Sequence, residues 1–256
     1  MNLLITLRAE FLKIKRTSLI YFTILASAFV PVVMLLENLD GTPNGNLERI
    51  DPFRTYYAEG WMFIAFLILP MFIVLMSTLL LQIEHRNNTW KQVMASPQQV
   101  HTLLASKFLV LQAFIIMMLI MHNVLMLIAA VPINIMYPDF KIFDYLNSWD
   151  MILSVNARTY FAALGISGLQ FWLALRYRNF IISLGIGIIL CTVGPLLVFE
   201  FNTESILTRF PFALSILVNI KKFKTISVGI QWLSVGYMIA FLTIAFMEFK
   251  GKRVRS

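Results

Sequence analysis

Apolar residues in this chain fall in long runs separated by short polar stretches. Six runs stand out, at 19–36, 61–81, 108–131, 160–175, 180–199 and 228–246. Each approaches the roughly 20 apolar residues a helix needs to cross a hydrocarbon core. The pattern therefore predicts an all-α polytopic membrane protein with six transmembrane helices and no large soluble domain. The run at 160–175 is the shortest and needs Ala157 or Arg176 near its ends.

The flanks carry weaker periodicities. Leu3, Leu4, Leu7, Phe11 and Ile14 share one helical face, with Arg8, Lys13, Lys15 and Arg16 elsewhere. This predicts either an amphipathic helix in the membrane interface or a plain basic flank of the first span. Ala26-Ser27-Ala28 resembles a signal cleavage site. The apolar run continues past it to Leu36, which favours a retained first span. The 200–227 segment contains Phe210-Pro211-Phe212 and an apolar stretch before Lys221, Lys222 and Lys224. It predicts an outer re-entrant segment before the last span. A seventh span is the rival, although Arg209 and Pro211 interrupt it. Pro70, Pro132 and Gly194-Pro195 predict kinks or helix ends.

Composition narrows the class. Of 256 residues, 59% are hydrophobic and 13% charged, which excludes a disordered chain, a disulfide-knit domain and an ordinary cytosolic enzyme. The single cysteine, Cys191, allows no intrachain disulfide, and His85, His101 and His122 lack metal-ligand spacing. The net charge of +8 reads as a basic cytoplasmic face rather than a nucleic-acid surface. With the N-terminus inside, the inner segments hold 13 of the 21 Lys and Arg but only three of the 13 acids, Glu10, Glu84 and Glu248. Both termini are therefore expected on the cytoplasmic side. The tail residues Lys250, Lys252, Arg253 and Arg255 would meet anionic lipid.

The inner loop between spans two and three is the most informative stretch. Thr89-x-x-Gln92 is a capping box, and Ser96-Pro97-Gln98-Gln99 is a second helix start with proline at the first position. A short helix over residues 90–95 is predicted, then a break, then a long helix into span three. Trp90, Lys91 and Met94 would be offered to another protein, or the helix would merely close the loop.

This layout resembles a permease subunit of the ABC-2 type, and is especially similar to small permeases of bacteriocin-immunity and peptide-antibiotic export systems. The basic interfacial helix with Glu10-x-x-Lys13 matches the family's N-terminal pattern, together with Arg8, Phe11 and Arg16. Glu84, Thr89, Trp90, Lys91 and Pro97 match its acidic residue, coupling helix and proline-started third helix, while Lys107 falls where a Gly-Lys pair is common. Asn88 and Ser106 stand where the family commonly has glycine. The resemblance implies a single ABC-2 type transmembrane domain over residues 1–256, in a bacterial inner membrane. It implies no cofactor in this chain, with ATP and Mg bound by a partner ABC ATPase, and a second permease chain, self or sister. The sequence agrees in having no Gly-x-x-x-x-Gly-Lys-[Ser/Thr] phosphate loop. A non-transporting sensor or scaffold with the same fold is the alternative, and a membrane enzyme a more distant one.

Four further features carry candidate chemistry. Gly165-Ile166-Ser167-Gly168 resembles the nucleophile motif of intramembrane serine proteases, but every histidine precedes Ser167, so no later-span base is available. The small residues there permit close helix packing instead. His122 and Asn123 sit mid-span as pathway or packing residues. Arg158, at the outer start of span four, is read as an interfacial snorkelling residue. Glu200 and Glu204 flank the outer end of span five as a gate or a solvated flank.

Overall fold

The computed structural model describes residues 3–14, 17–39, 52–86, 100–138, 149–177, 179–200 and 207–254. Among these residues all regular structure is helical. An N-terminal helix, α1 (Leu3–Ile14), precedes α2 (Leu19–Leu39). Next come α3 (Pro52–Phe63), a π-helical turn (Ile64–Ile68) and α4 (Leu69–Arg86), in unbroken succession. Then follow α5 (Val100–Met136), α6 (Trp149–Arg176) and α7 (Phe180–Glu200). A short helix α8 (Pro211–Leu217) and a 3-10 turn (Lys221–Ile226) lead into α9 (Ser227–Val254).

Five of these rods are long and apolar enough to cross a membrane: 19–38, 53–83, 101–136, 180–200 and 227–249. Their lipid-facing sides stay apolar. Tyr21, Leu25, Ile181, Ile189, Phe199 and Trp232 are all more than 60% exposed. Such surfaces would drive aggregation in water but match a hydrocarbon solvent. The remaining predicted span is α6, whose 28 residues suffice for a crossing although its composition does not mark it. Its position explains this. It packs along α9 and against α4 and α8, and Ala162 through Gly168 are all buried. A helix surrounded by protein can carry Asn156, Thr159, Ser167 and Gln170, because neighbouring helices supply their hydrogen-bond partners.

Span two departs from the expected 61–81 by beginning at Pro52. Arg54 and Glu59 mask its first turns from hydropathy, while Phe53, Tyr56, Tyr57 and Trp61 are buried. The prolines do not end their helices, since Pro132 and Pro195 lie within α5 and α7. Pro70 follows directly on the π turn, where the Leu69 amide donates to the Ile64 carbonyl five residues back. A proline ring presses on the carbonyl four residues before it, here Phe66, and the widened turn makes room there.

At one end of the bundle, α1 packs on the start of α5, and Arg176 at the end of α6 bonds Glu248 near the end of α9 at 2.8 Å. Both described ends of the chain therefore lie at this end. At the opposite end, α8 is buried over its whole length against α6 and α7. Seven residues span about 10 Å, too short for a seventh crossing. The predicted helix over 90–95 lies outside the described residues.

Close approaches are built on small residues. A Cβ on Gly168 would stand 2.8 Å from the Met238 Cα, so α6 and α9 touch backbone to backbone there. Gly165 donates its amide to Ser234 Oγ at 2.8 Å, and Ser234 donates in turn to the Ala162 carbonyl. The Gly-x-Ser-Gly motif is thus a packing seam, and Ser167 Oγ bonds its own helix at Leu164.

Candidate functional site

Among the described residues, two of the polar clusters that interrupt the apolar interior lie toward opposite ends of the bundle. The first joins α1 to α5. Glu10 Oε2 accepts from Lys107 Nζ at 2.7 Å, and Glu10 Oε1 accepts from Lys13 Nζ at 2.6 Å. The side chains of Glu10 and Lys107 are 3% and 1% exposed. Burial pushes the Glu10 carboxyl up, but the ammonium groups of Lys107 and Lys13 outweigh it and hold the carboxyl below the usual glutamate range. The Glu10-x-x-Lys13 pattern and Lys107, 97 residues apart in sequence, therefore form one site.

The packing face of α1 differs from the apolar arc. Thr6, Glu10 and Ile14 are buried, at helical spacing, while Leu3, Leu4, Ile5, Phe11 and Leu12 are exposed. The helix turns Glu10 inward, and its exposed side carries Leu3, Leu4, Ile5, Phe11 and Leu12 together with Arg8 and Lys13. Arg8 is exposed, and Arg16 lies outside the described residues.

The second cluster lies toward the other end. Phe53, Tyr57 and Trp61 recur every fourth residue and stack, with ring centroids 6.1 and 5.7 Å apart. The Tyr57 hydroxyl donates to Asn123 Oδ1. Asn123 Nδ2 donates to Asn156 Oδ1 at 2.8 Å, and Asn156 Nδ2 returns to the Tyr57 hydroxyl at 3.0 Å. A closed ring of neutral hydrogen bonds thus links α3, α5 and α6. Trp61 Nε1 donates to Thr159 Oγ1 at 2.9 Å, and Asn219 Nδ2 donates to the same oxygen at 3.0 Å. His122 is fully buried against the Trp61 ring, with Nδ1 3.3 Å from the Ser27 carbonyl oxygen of α2. His122 and Asn123 thus take part in helix-to-helix hydrogen bonding.

Beside this ladder a cleft of about 390 Å³ opens between α3, α6 and residues 218–220. Arg54, Tyr57, Trp61, Arg158 and Asn219 contribute to its lining.

The remaining expected site residues are not joined to these clusters. Glu200 is exposed at the end of α7, and Glu204 lies outside the described residues. Glu84 lies in the last turn of α4 with its side chain outside the described set, and Thr89, Trp90, Lys91, Met94 and Pro97 lie outside the described residues. Sequence reasoning missed Tyr57, Asn156, Thr159 and Asn219. The spacing of Phe53, Tyr57 and Trp61 was the available signal, and the intervening Arg54 and Glu59 obscured it.

The spanning helices and their apolar outer faces describe a multi-pass membrane protein. The sequence model of the ABC-2 family transporter proteins matches residues 6–194, 189 of the 256 residues. The chain belongs to that family, and is thereby a multi-pass membrane protein of the ABC transporter permease class, whose members work with an ABC ATPase. The match ends within α7, so α8 and α9 lie beyond it. Comparison with curated proteins and with solved structures gives no match.

Proposed function

We propose that this chain is the transmembrane half of an exporter in the bacterial cytoplasmic membrane, driven by a separate ATPase subunit that binds ATP and Mg. The end of the bundle that carries α1 faces the cytoplasm, in keeping with the excess of Lys and Arg in the segments at that end. Two copies, or this chain and a sister permease, form the pathway. The cargo is amphipathic or lipophilic, such as a peptide antibiotic, another toxic compound or a lipid-linked molecule.

The observation that carries this reading is the buried Glu10–Lys107 pair at 2.7 Å. A surface helix tied by a desolvated ion pair to the first turns of a spanning helix moves with that helix. ATPase closure against α1 and the 84–97 loop would therefore reach α5 directly. Lys13, which shares Glu10, extends the clamp along α1.

The test is co-purification from the native membrane in mild detergent, with ATP hydrolysis assayed in the eluate. Wild type should bring down an ATPase. The double variant Trp90→Ala with Lys91→Glu should lose it. Glu10→Gln with Lys107→Met should retain the ATPase but lower hydrolysis stimulated by cargo several-fold. A chain that elutes alone, without nucleotide hydrolysis, overturns the exporter reading.

A further inference from the structure

His122 keeps one polar atom that the bundle does not use. It lies midway along α5 and is fully buried. Its Nδ1 stands 3.3 Å from the Ser27 carbonyl oxygen of α2. A carbonyl only accepts, so Nδ1 carries the proton, and in the neutral ring Nε2 then holds a bare lone pair. That nitrogen is buried and has no hydrogen-bond partner. Most buried polar atoms are paired, and an exception calls for a cause. An imidazole with Nδ1 tied to a backbone carbonyl and Nε2 left open has the arrangement of a metal-binding histidine. The surroundings supply sulfur. Met118 and Met126 stand four residues to either side of His122 on the same face of α5, 0% and 1% exposed. Side chains on a helix lean toward its N-terminus. This carries the Met126 thioether back toward the imidazole, and the imidazole toward Met118. From α3, Trp61 lays its ring 5.8 Å from the imidazole, tilted by 52°. The neighbouring Gly60 makes room for Met126, because a Cβ there would stand 2.6 Å from Met126 Cε and 3.3 Å from its Sδ.

Imidazole and thioether donors without a carboxylate select the metal. Zinc is held by thiolates, carboxylates or several imidazoles. Among the described residues no three of His, Cys, Asp and Glu come together to hold such an ion. The spacing of the three histidines likewise excludes a site of imidazoles alone. Soft thioethers favour Cu(I), whose single charge is the least that neutral ligands must carry in an apolar interior. The face of Trp61 offers that charge a further attraction. We propose that His122 Nε2 and the thioethers of Met118 and Met126 form a binding site for a soft monovalent metal ion, Cu(I), where α2, α3 and α5 meet. Core packing alone would account for the two methionines, but not for the open Nε2 on the residue between them. The site does not depend on the exporter reading or on the nature of the cargo.

The experiment uses the full chain in neutral detergent, with Cys191→Ser in every sample so that the buried thiol takes no metal. Cu(I), kept reduced by ascorbate under nitrogen, is titrated in competition with the coloured chelator bicinchoninate. The atoms bonded to the protein-held ion are read by X-ray absorption at the copper edge. The chain should withdraw one Cu(I) from the chelator, with both nitrogen and sulfur bonded to copper. Met126→Leu, which conserves volume, should weaken binding by roughly ten-fold or more. Met118→Leu with Met126→Leu should remove the sulfur signal, and His122→Phe should abolish binding. The leucine variants decide the matter should His122→Phe fail to fold. No Cu(I) withdrawn from the chelator, a copper edge without sulfur, or an affinity unchanged in Met126→Leu overturns the proposal. Zn(II) retained as tightly as Cu(I) also overturns it, because the thioethers would then select nothing.

Discussion

The two ends of the bundle solve the burial of polar groups in different ways. Near α1 the solution is ionic: one carboxylate, Glu10, bridges Lys107 and Lys13. At the far end it is neutral: Tyr57, Asn123 and Asn156 close a ring, and Trp61, Thr159 and Asn219 form a chain beside it. A buried ion pair is held against the desolvation of both charges, so the loss of one partner strands the other. A ring of amides and hydroxyls shares its load, and each member has more than one partner. The ionic end should therefore fail abruptly and the neutral end gradually. The abrupt end is the one bearing the helix expected to meet an ATPase.

The largest expected effect comes from removing the buried partner of the carboxylate, which leaves Glu10 only the exposed Lys13. Lys107→Met should destabilise by about 3–5 kcal/mol, read as a lowered thermal midpoint in detergent and as protease access to α1. Glu10→Leu with Lys107→Met should recover most of that loss, because two apolar groups can replace a buried pair. If the double variant is as unstable as the single, the pair is not the source of stability. Next is the α6–α9 contact. Gly168→Val pushes a side chain into the Met238 backbone and should cost about 1–3 kcal/mol by overpacking, with the midpoint as readout. At the neutral end, Asn156→Leu should cost less, about 0.6–1.7 kcal/mol, because Tyr57 still reaches Asn123. The smallest effect is expected for Arg176→Gln, about 0–1 kcal/mol, because its bond to Glu248 is exposed.

Acid sharpens the same contrast. The folded pKa of Glu10 lies below its unfolded value of about 4.3. The stability it contributes is therefore fully present above that pH and is lost as pH falls through the folded value. Docking of α1, followed by accessibility of a cysteine introduced at Thr6, should be unchanged between pH 7 and 5 and weaken only in stronger acid. The neutral ring should show no such transition.

The helical class and the five long apolar rods were legible in the sequence, because apolar runs of spanning length have few alternatives. Span four was the least legible. The turns from Trp149 through Arg158 look like a loop by hydropathy, and only the partners of Asn156 and Thr159 make them helical interior. The ion pair was legible as parts. Glu10 and Lys107 each stood out, but nothing in a single sequence relates two positions 97 apart. The α1 arc misled in one respect. Leu3, Leu4 and Phe11 of the arc are exposed, whereas Ile14 and the half-buried Leu7 turn toward the protein with Thr6 and Glu10. Asn219 carried no signal, since its role depends on how the segment before the last helix folds back.

The π turn at Ile64–Ile68 makes the second span one residue longer than an α-helix along the same path. One residue corresponds to about 100° of rotation. The aromatic ladder before the turn and the α4 face after it are therefore out of phase with a single stripe. Deleting Leu67 would leave a perfectly good helix and a misaligned one: either the ladder or the α4 contact with α7 could be kept, not both. Sequence length, rather than residue identity, is thus a parameter of this span, and an insertion or deletion there would act as a rotation.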